Sequence, residues 1–187
     1  MKLKMIAPVV ALALLSVSVA RADDPEKEKA KIRQGATQTL SELYKLQPGA
    51  QAAIAKSAGY AVFKNFGTNL LVVSTGSGAG VAVNSQTKQE TSMKMVSAGA
   101  GLGVGVKDFR AIFVFGTDKA FNDFLNSGWS GSGQADAAAK AGSSGGAYSG
   151  AVEVAPDVWV YQITKNGLAL QLTLQGTKYY KNDDLNK

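Results

Sequence analysis

Five basic residues stand where charge meets apolar surface: Lys29, Arg33, Lys64, Lys107 and Arg110. The first two flank an apolar helical stripe, Lys64 lies beside an aromatic-ended strand, and Lys107 and Arg110 close a glycine-rich run. Cations beside apolar surface suit an anionic phospholipid headgroup, and each basic side chain near such a membrane contributes about 1 kcal/mol. The alternative for each is a solvated charge or a structural ion pair. Two absences narrow the remaining chemistry, since the chain has no His and no Cys. Ser-His-Asp and Cys-His nucleophile systems are therefore excluded, as are the usual zinc sites and any disulfide. Asp108 and Asp136 are the carboxylates to consider for hydrolysis, but nothing in the sequence places them together. These residues favour a binding protein without a cofactor over an enzyme.

The stretch 76–115 is the part that the other elements support. Glycine recurs at Gly76, Gly78 and Gly80, then at Gly99, Gly101, Gly103 and Gly105. A period of two puts the glycines of each run on one face of an extended strand. Glycine weakens a strand, so its repetition signals a close approach to that backbone. The polar link Ser85-Gln86-Thr87-Lys88 suggests a hairpin. If Asn84 faces Gln89, Met95 falls opposite Gly78 and Met93 opposite Gly80, so that pliable side chains cover the bare positions. The ladder lacks G-x-x-x-x-G-K-[ST] and no helix follows it, which argues against a nucleotide phosphate loop.

The N-terminus sets the compartment. Met1-Lys2-Leu3-Lys4 is basic, residues 5–20 are apolar, and Ala20-Arg21-Ala22 precedes Asp23-Asp24. This is the pattern of a secretory signal peptide, 1–22, cut after Ala22, with the apolar run too short for a comfortable membrane anchor. Export, most simply to a periplasm, and a single mature domain, 23–187, are expected. Removing Lys2, Lys4 and Arg21 leaves 17 basic residues against 14 acidic ones, a net charge of +3. That suits mild attraction to anionic surfaces and falls far short of a nucleic-acid-binding signature.

Residues 23–46 are rich in good helix formers, with Asp23 able to cap and Pro25 and Glu26 in the first turn. Ile32, Ala36, Leu40, Leu43 and Tyr44 form one apolar stripe. With flanking bases this is what a membrane-surface helix needs, although its five acidic and five basic residues balance, and docking on a core explains the stripe equally well. A short helix at 49–57 follows Pro48, then strands at 60–66 and 69–74. Residues 109–115, apolar on both faces apart from Arg110, make a central strand. Residues 118–126 form a short amphipathic helix capped by Thr117 or Asp118 and stopped by Gly128.

Residues 129–141 alternate small and polar side chains and fit either strand or helix; 142–146 read as a loop. A strand at 147–154, a turn at Pro156-Asp157, alternating strands at 159–163 and 168–174 around Asn166-Gly167, and a polar tail at 178–187 complete the chain. The fold class is α+β: N-terminal helices, then a curled, largely antiparallel sheet, open or barrel-like, with one inserted helix.

Several segments stand in a family order: Tyr60-Ala-Val-Phe63, the Gly76–Gly80 run, Gly101-Leu-Gly-Val-Gly-Val-Lys-Asp-Phe109, Asp118-Lys-Ala-Phe121, Gly133-Gln-Ala-Asp-Ala137 and Leu172-Thr-Leu-Gln-Gly-Thr-Lys-Tyr179. In this order the chain resembles the SYLF domain family, in its exported bacterial branch, over essentially all of 23–187. The resemblance implies lipid binding with a contribution from the N-terminal amphipathic helix. Some eukaryotic members also bind actin; an exported bacterial protein meets none, so no actin partner is expected, and phosphoinositide specificity is not carried over. The expectation is non-enzymatic, peripheral binding to anionic phospholipid. The alternative is a structural or self-associating envelope protein, and an outer-membrane barrel fits the helical start and polar end poorly.

Overall fold

A computed structural model describes residues 24–70, 73–100, 109–131, 148–169 and 176–187. Helix α1, Pro25–Leu46, starts at Asp24, whose carboxylate accepts the Glu26 backbone N–H at 3.1 Å. Asp24 rather than Asp23 is the cap because Pro25 occupies the first helical position, which favours proline. Helix α2, Gly49–Lys56, follows at once and ends where the Ser57 N–H donates to the Ile54 carbonyl.

Strands β1 (Gly59–Leu70), β2 (Val73–Asn84), β3 (Glu90–Ala100) and β4 (Arg110–Phe115) form the middle of the sheet. Helix α3, Asp118–Ser127, is capped by the Thr117 hydroxyl and stopped by Gly128 at φ 70°. Then come β5 (Trp129–Ser130), β6 (Val152–Ala155), β7 (Val158–Thr164), β8 (Gly167–Ala169) and β9 (Thr177–Lys181). The nine described strands make one antiparallel sheet in the order β5-β9-β3-β2-β1-β4-β7-β6, with β8 on β7. This is the expected α+β architecture.

The hairpin register is the expected one. The Asn84 N–H donates to the Gln89 carbonyl, Gly78 pairs with Met95 and Gly80 with Met93. A Cβ on Gly78 would meet Met95 Cγ at 2.8 Å and the Lys64 carbonyl oxygen closer still. At Gly80 the ring of Phe63 comes nearest, so an aromatic rather than Met93 fills that gap. Gly101, Gly103 and Gly105 lie outside the described residues.

Three expectations need correction. Residues 69–74 are not a strand of their own: Asn69 pairs with Ser74 and Leu70 with Val73, as the facing ends of β1 and β2. An apolar run shared between the ends of two strands looks the same as one buried strand by periodicity. The strand expected from 147 begins at Val152, after a turn in which Gly150 has φ 82°. Last, the tail contains β9, which pairs with β3 and β5 and buries Tyr179 completely. Its two inward residues, Thr177 and Tyr179, lie among lysines, which hid the alternation. The signal segment, most of 129–141, the 142–146 loop and the rest of the 168–174 strand fall outside the described residues.

Pairing puts alternate residues on two faces, and each face has its own core. Ala61, Phe63, Met93, Met95, Phe113, Phe115 and Tyr179 lie on one, closed by Phe121 and Phe124 of α3. Phe63 and Phe113 meet the Tyr179 ring at centroid distances of 4.7 and 4.8 Å, both edge-on. Such pairs add about 0.5–1.5 kcal/mol beyond their burial. Val62, Val81, Ile112, Val114, Tyr161 and Ile163 line the other face under α1 and α2. Strand β4 is buried on both, as a central strand should be.

Candidate functional site

Helix α1 uses its apolar stripe on the sheet. Leu43 is fully buried and Ala36 nearly so, while Ile32, Leu40 and Tyr44 pack partly buried against the same core. Two ion pairs fix the helix in place from opposite directions. Arg33 Nε donates to Glu90 at the start of β3, and Arg110 Nη1 of β4 donates to Glu42. The first pair is about half exposed; Arg110 is the more buried member of the second. The other expected site base on α1, Lys29, bonds Glu26 at 2.9 Å and holds that carboxyl below its usual range.

Lys29 and Arg33 also line a recess of about 210 Å³ with Ser92, Asn186 and Lys187. The C-terminal segment forms its far wall. Asn186 accepts the Ser92 N–H and donates to the Ser92 carbonyl, and Leu185 is buried. Asp184 lies between Lys94 and Lys187, at 3.0 and 3.6 Å, and both hold its carboxyl low, Lys94 foremost through a hydrogen bond.

Lys64 and Arg110 are register partners across β1 and β4, on the face that α1 covers. Of the five expected site residues, the fold therefore brings Lys29 and Arg33 together at one end of α1. It brings Lys64 and Arg110 together on the sheet near the other, where Arg110 bonds Glu42. Lys107 lies outside the described residues, as do Asp108 and Asp136.

The register adds two bases that sequence reasoning passed over. Lys94 of β3 pairs with Ala79, which pairs with Lys64, so Lys94, Lys64 and Arg110 stand in one row across the sheet. Lys178 of β9 pairs with Val96 beside that row, and its ammonium lies 5.9 Å from the Tyr180 ring centroid. The signal for Lys94 was present, because the Gly78–Met95 pairing implies it. Lys178 was missed with β9.

The described residues form an α+β domain, an antiparallel sheet with helices against both faces. No described helix is long and apolar enough to cross a membrane. A family model described as "Ysc84: Las17-binding protein actin regulator" matches residues 96–187. Beta cell expansion factor A of Aeromonas veronii is 32% identical over 148 residues, 78% of this chain and 54% of that protein. The chain thus spans about half the length of this curated relative. Together with the motif order, these matches show a SYLF-family protein.

Proposed function

We propose that the protein binds anionic phospholipid at a membrane surface, without catalysis, as an exported and peripheral SYLF-family domain. The observation that carries this reading is the gathering of bases on the helix-covered face: Lys64 next to Arg110 in register, with Lys29 and Arg33 at the other end of α1. The SYLF family is of lipid-binding and actin-regulator type, and the lipid half of that description suits a chain whose first residues read as a secretory leader. Actin is not proposed as a partner. Because the stripe of α1 packs on the core, the share of α1 in lipid contact runs through its bases rather than its apolar side.

Flotation of residues 23–187 with anionic and with zwitterionic vesicles tests the proposal. Recovery with anionic vesicles alone supports it. Absence from both, together with concentration-dependent light scattering, replaces it with self-association in the cell envelope.

A further inference from the structure

The sheet register assembles a patch that neither the family nor the composition points to. Reading across strands β9, β3, β2, β1 and β4, one row consists of Tyr180, Lys94, Ala79, Lys64 and Arg110. Neighbouring strands lie about 4.8 Å apart, so the row spans roughly 19 Å, with Lys94 and Lys64 about 10 Å apart. Two residues further along the strands, Lys178, Val96 and Ser77 form a second row on the same face. Val96 is 43% exposed, and Val96 and Leu46 are the large hydrophobic residues left open to solvent among those described. Lys64 and Lys178 are exposed, and the Lys94 side chain is 38% accessible.

We propose that this two-row patch, Lys94, Lys64, Arg110 and Lys178 around Val96 and Tyr180, is the face that lies on an anionic phospholipid bilayer. The inference rests on the lipid-binding reading above and names the surface that performs it. Charge complementarity selects the occupant. The patch holds four cations; Glu42 of α1 bonds Arg110, and Asp184 bonds Lys94. Asp184 also has Lys187, so a lipid phosphate can engage Lys94 while Lys187 keeps the carboxylate company. Lysine stems carry apolar surface up to a charged tip, and a tyrosine with one aliphatic neighbour suits the same headgroup depth. The alanine in the middle of the first row adds little bulk between Lys94 and Lys64, which leaves both lysines open beside the helix.

The test uses residues 23–187 and vesicles of phosphatidylglycerol mixed with phosphatidylcholine, against phosphatidylcholine alone. Lys94→Gln combined with Lys178→Gln is expected to weaken binding to the anionic vesicles roughly tenfold or more. Lys119→Gln, on α3 at the opposite face with its side chain 85% exposed, is expected to leave it unchanged. In a Val96→Trp variant, brominated acyl chains are expected to quench fluorescence beyond the background from Trp129 and Trp159. Wild-type affinity in the double variant with an unchanged circular dichroism spectrum, or no added quenching at position 96, overturns the assignment. Loss of binding in Lys29→Gln with Arg33→Gln, while the patch variant binds normally, overturns the patch and keeps the lipid-binding reading. A wild-type chain that ignores both vesicle types overturns both.

Discussion

Arg110 of β4 and Glu42 of α1, 68 positions apart in sequence, are joined by an ion pair that fixes the helix across the sheet. A second pair, Arg33 with Glu90, does the same from the helix toward β3, with the cation now on the helix. Crossed polarity sets the direction of the helix as well as its place, because reversing α1 would bring like charges together at both ends.

Glu42→Gln is therefore expected to cost about 1 kcal/mol, the upper end for a partly exposed pair. Glu90→Gln should cost no more than that, and the two losses should add, since the pairs share no partner. Thermal denaturation of the three variants measures this. The cost should shrink in high salt, which screens exposed charges.

Gly78 carries the second prediction. An alanine methyl there would press on the Lys64 carbonyl oxygen and on Met95 Cγ at 2.8 Å. The thioether can move aside, but the backbone of β1 is held by its neighbours on both sides. Gly78→Ala should destabilise by roughly 1–3 kcal/mol, the range for overpacking. Adding Met95→Ala should recover little of that loss in chemical denaturation, because the clash with the carbonyl remains.

Buried hydroxyls give the pH dependence. Tyr161 and Tyr179 each have a buried hydroxyl without a hydrogen-bond partner among the described residues. Burial pushes Tyr161 up to about 12 and Tyr179 further up. Above a pH of about 10 the unfolded chain releases protons that the folded chain retains, so stability is full below pH 10 and falls as pH rises toward 12. Tyr179→Phe should blunt that alkaline loss. It should also leave neutral-pH stability unchanged or raised by up to about 1 kcal/mol, because an unpaired polar group leaves the core. Denaturation midpoints of both proteins at neutral and alkaline pH check this.

The sequence was most legible where local chemistry dictates geometry. Thr117 and Gly128 bound α3 as their types require, and the Asn84–Gln89 turn carried the Gly78–Met95 register with it. Elsewhere the controlling contacts are long-range. Nothing near Lys178 announces that Tyr179 will cover Phe63 and Phe113, three and four strands away across the sheet, so β9 read as a tail. The same gap hid half of the candidate site. Lys64 and Arg110 were visible as bases beside apolar strands, but their adjacency depends on β1 pairing with β4, and Lys94 joins them only through Ala79. Nor did the stripe of α1 say what it faces; the sheet answers that, through Leu43.

Thr117 supplies a further test of a local rule. Its hydroxyl accepts the Ala120 N–H at 3.3 Å and also approaches Asp157 in the β6–β7 turn. Thr117→Ala should cost about 1 kcal/mol, as N-cap removal generally does. Hydrogen exchange should locate the change in the first turn of α3, where Phe121 covers Gly59.

The most direct measurement of the lipid-binding account is co-sedimentation of residues 23–187 with anionic vesicles across a salt series, with zwitterionic vesicles as reference. The account predicts binding to the anionic vesicles that fades as salt rises through the physiological range, where the screening length falls to about 8 Å. Failure to bind them at low salt, by a chain shown to be folded, would contradict it.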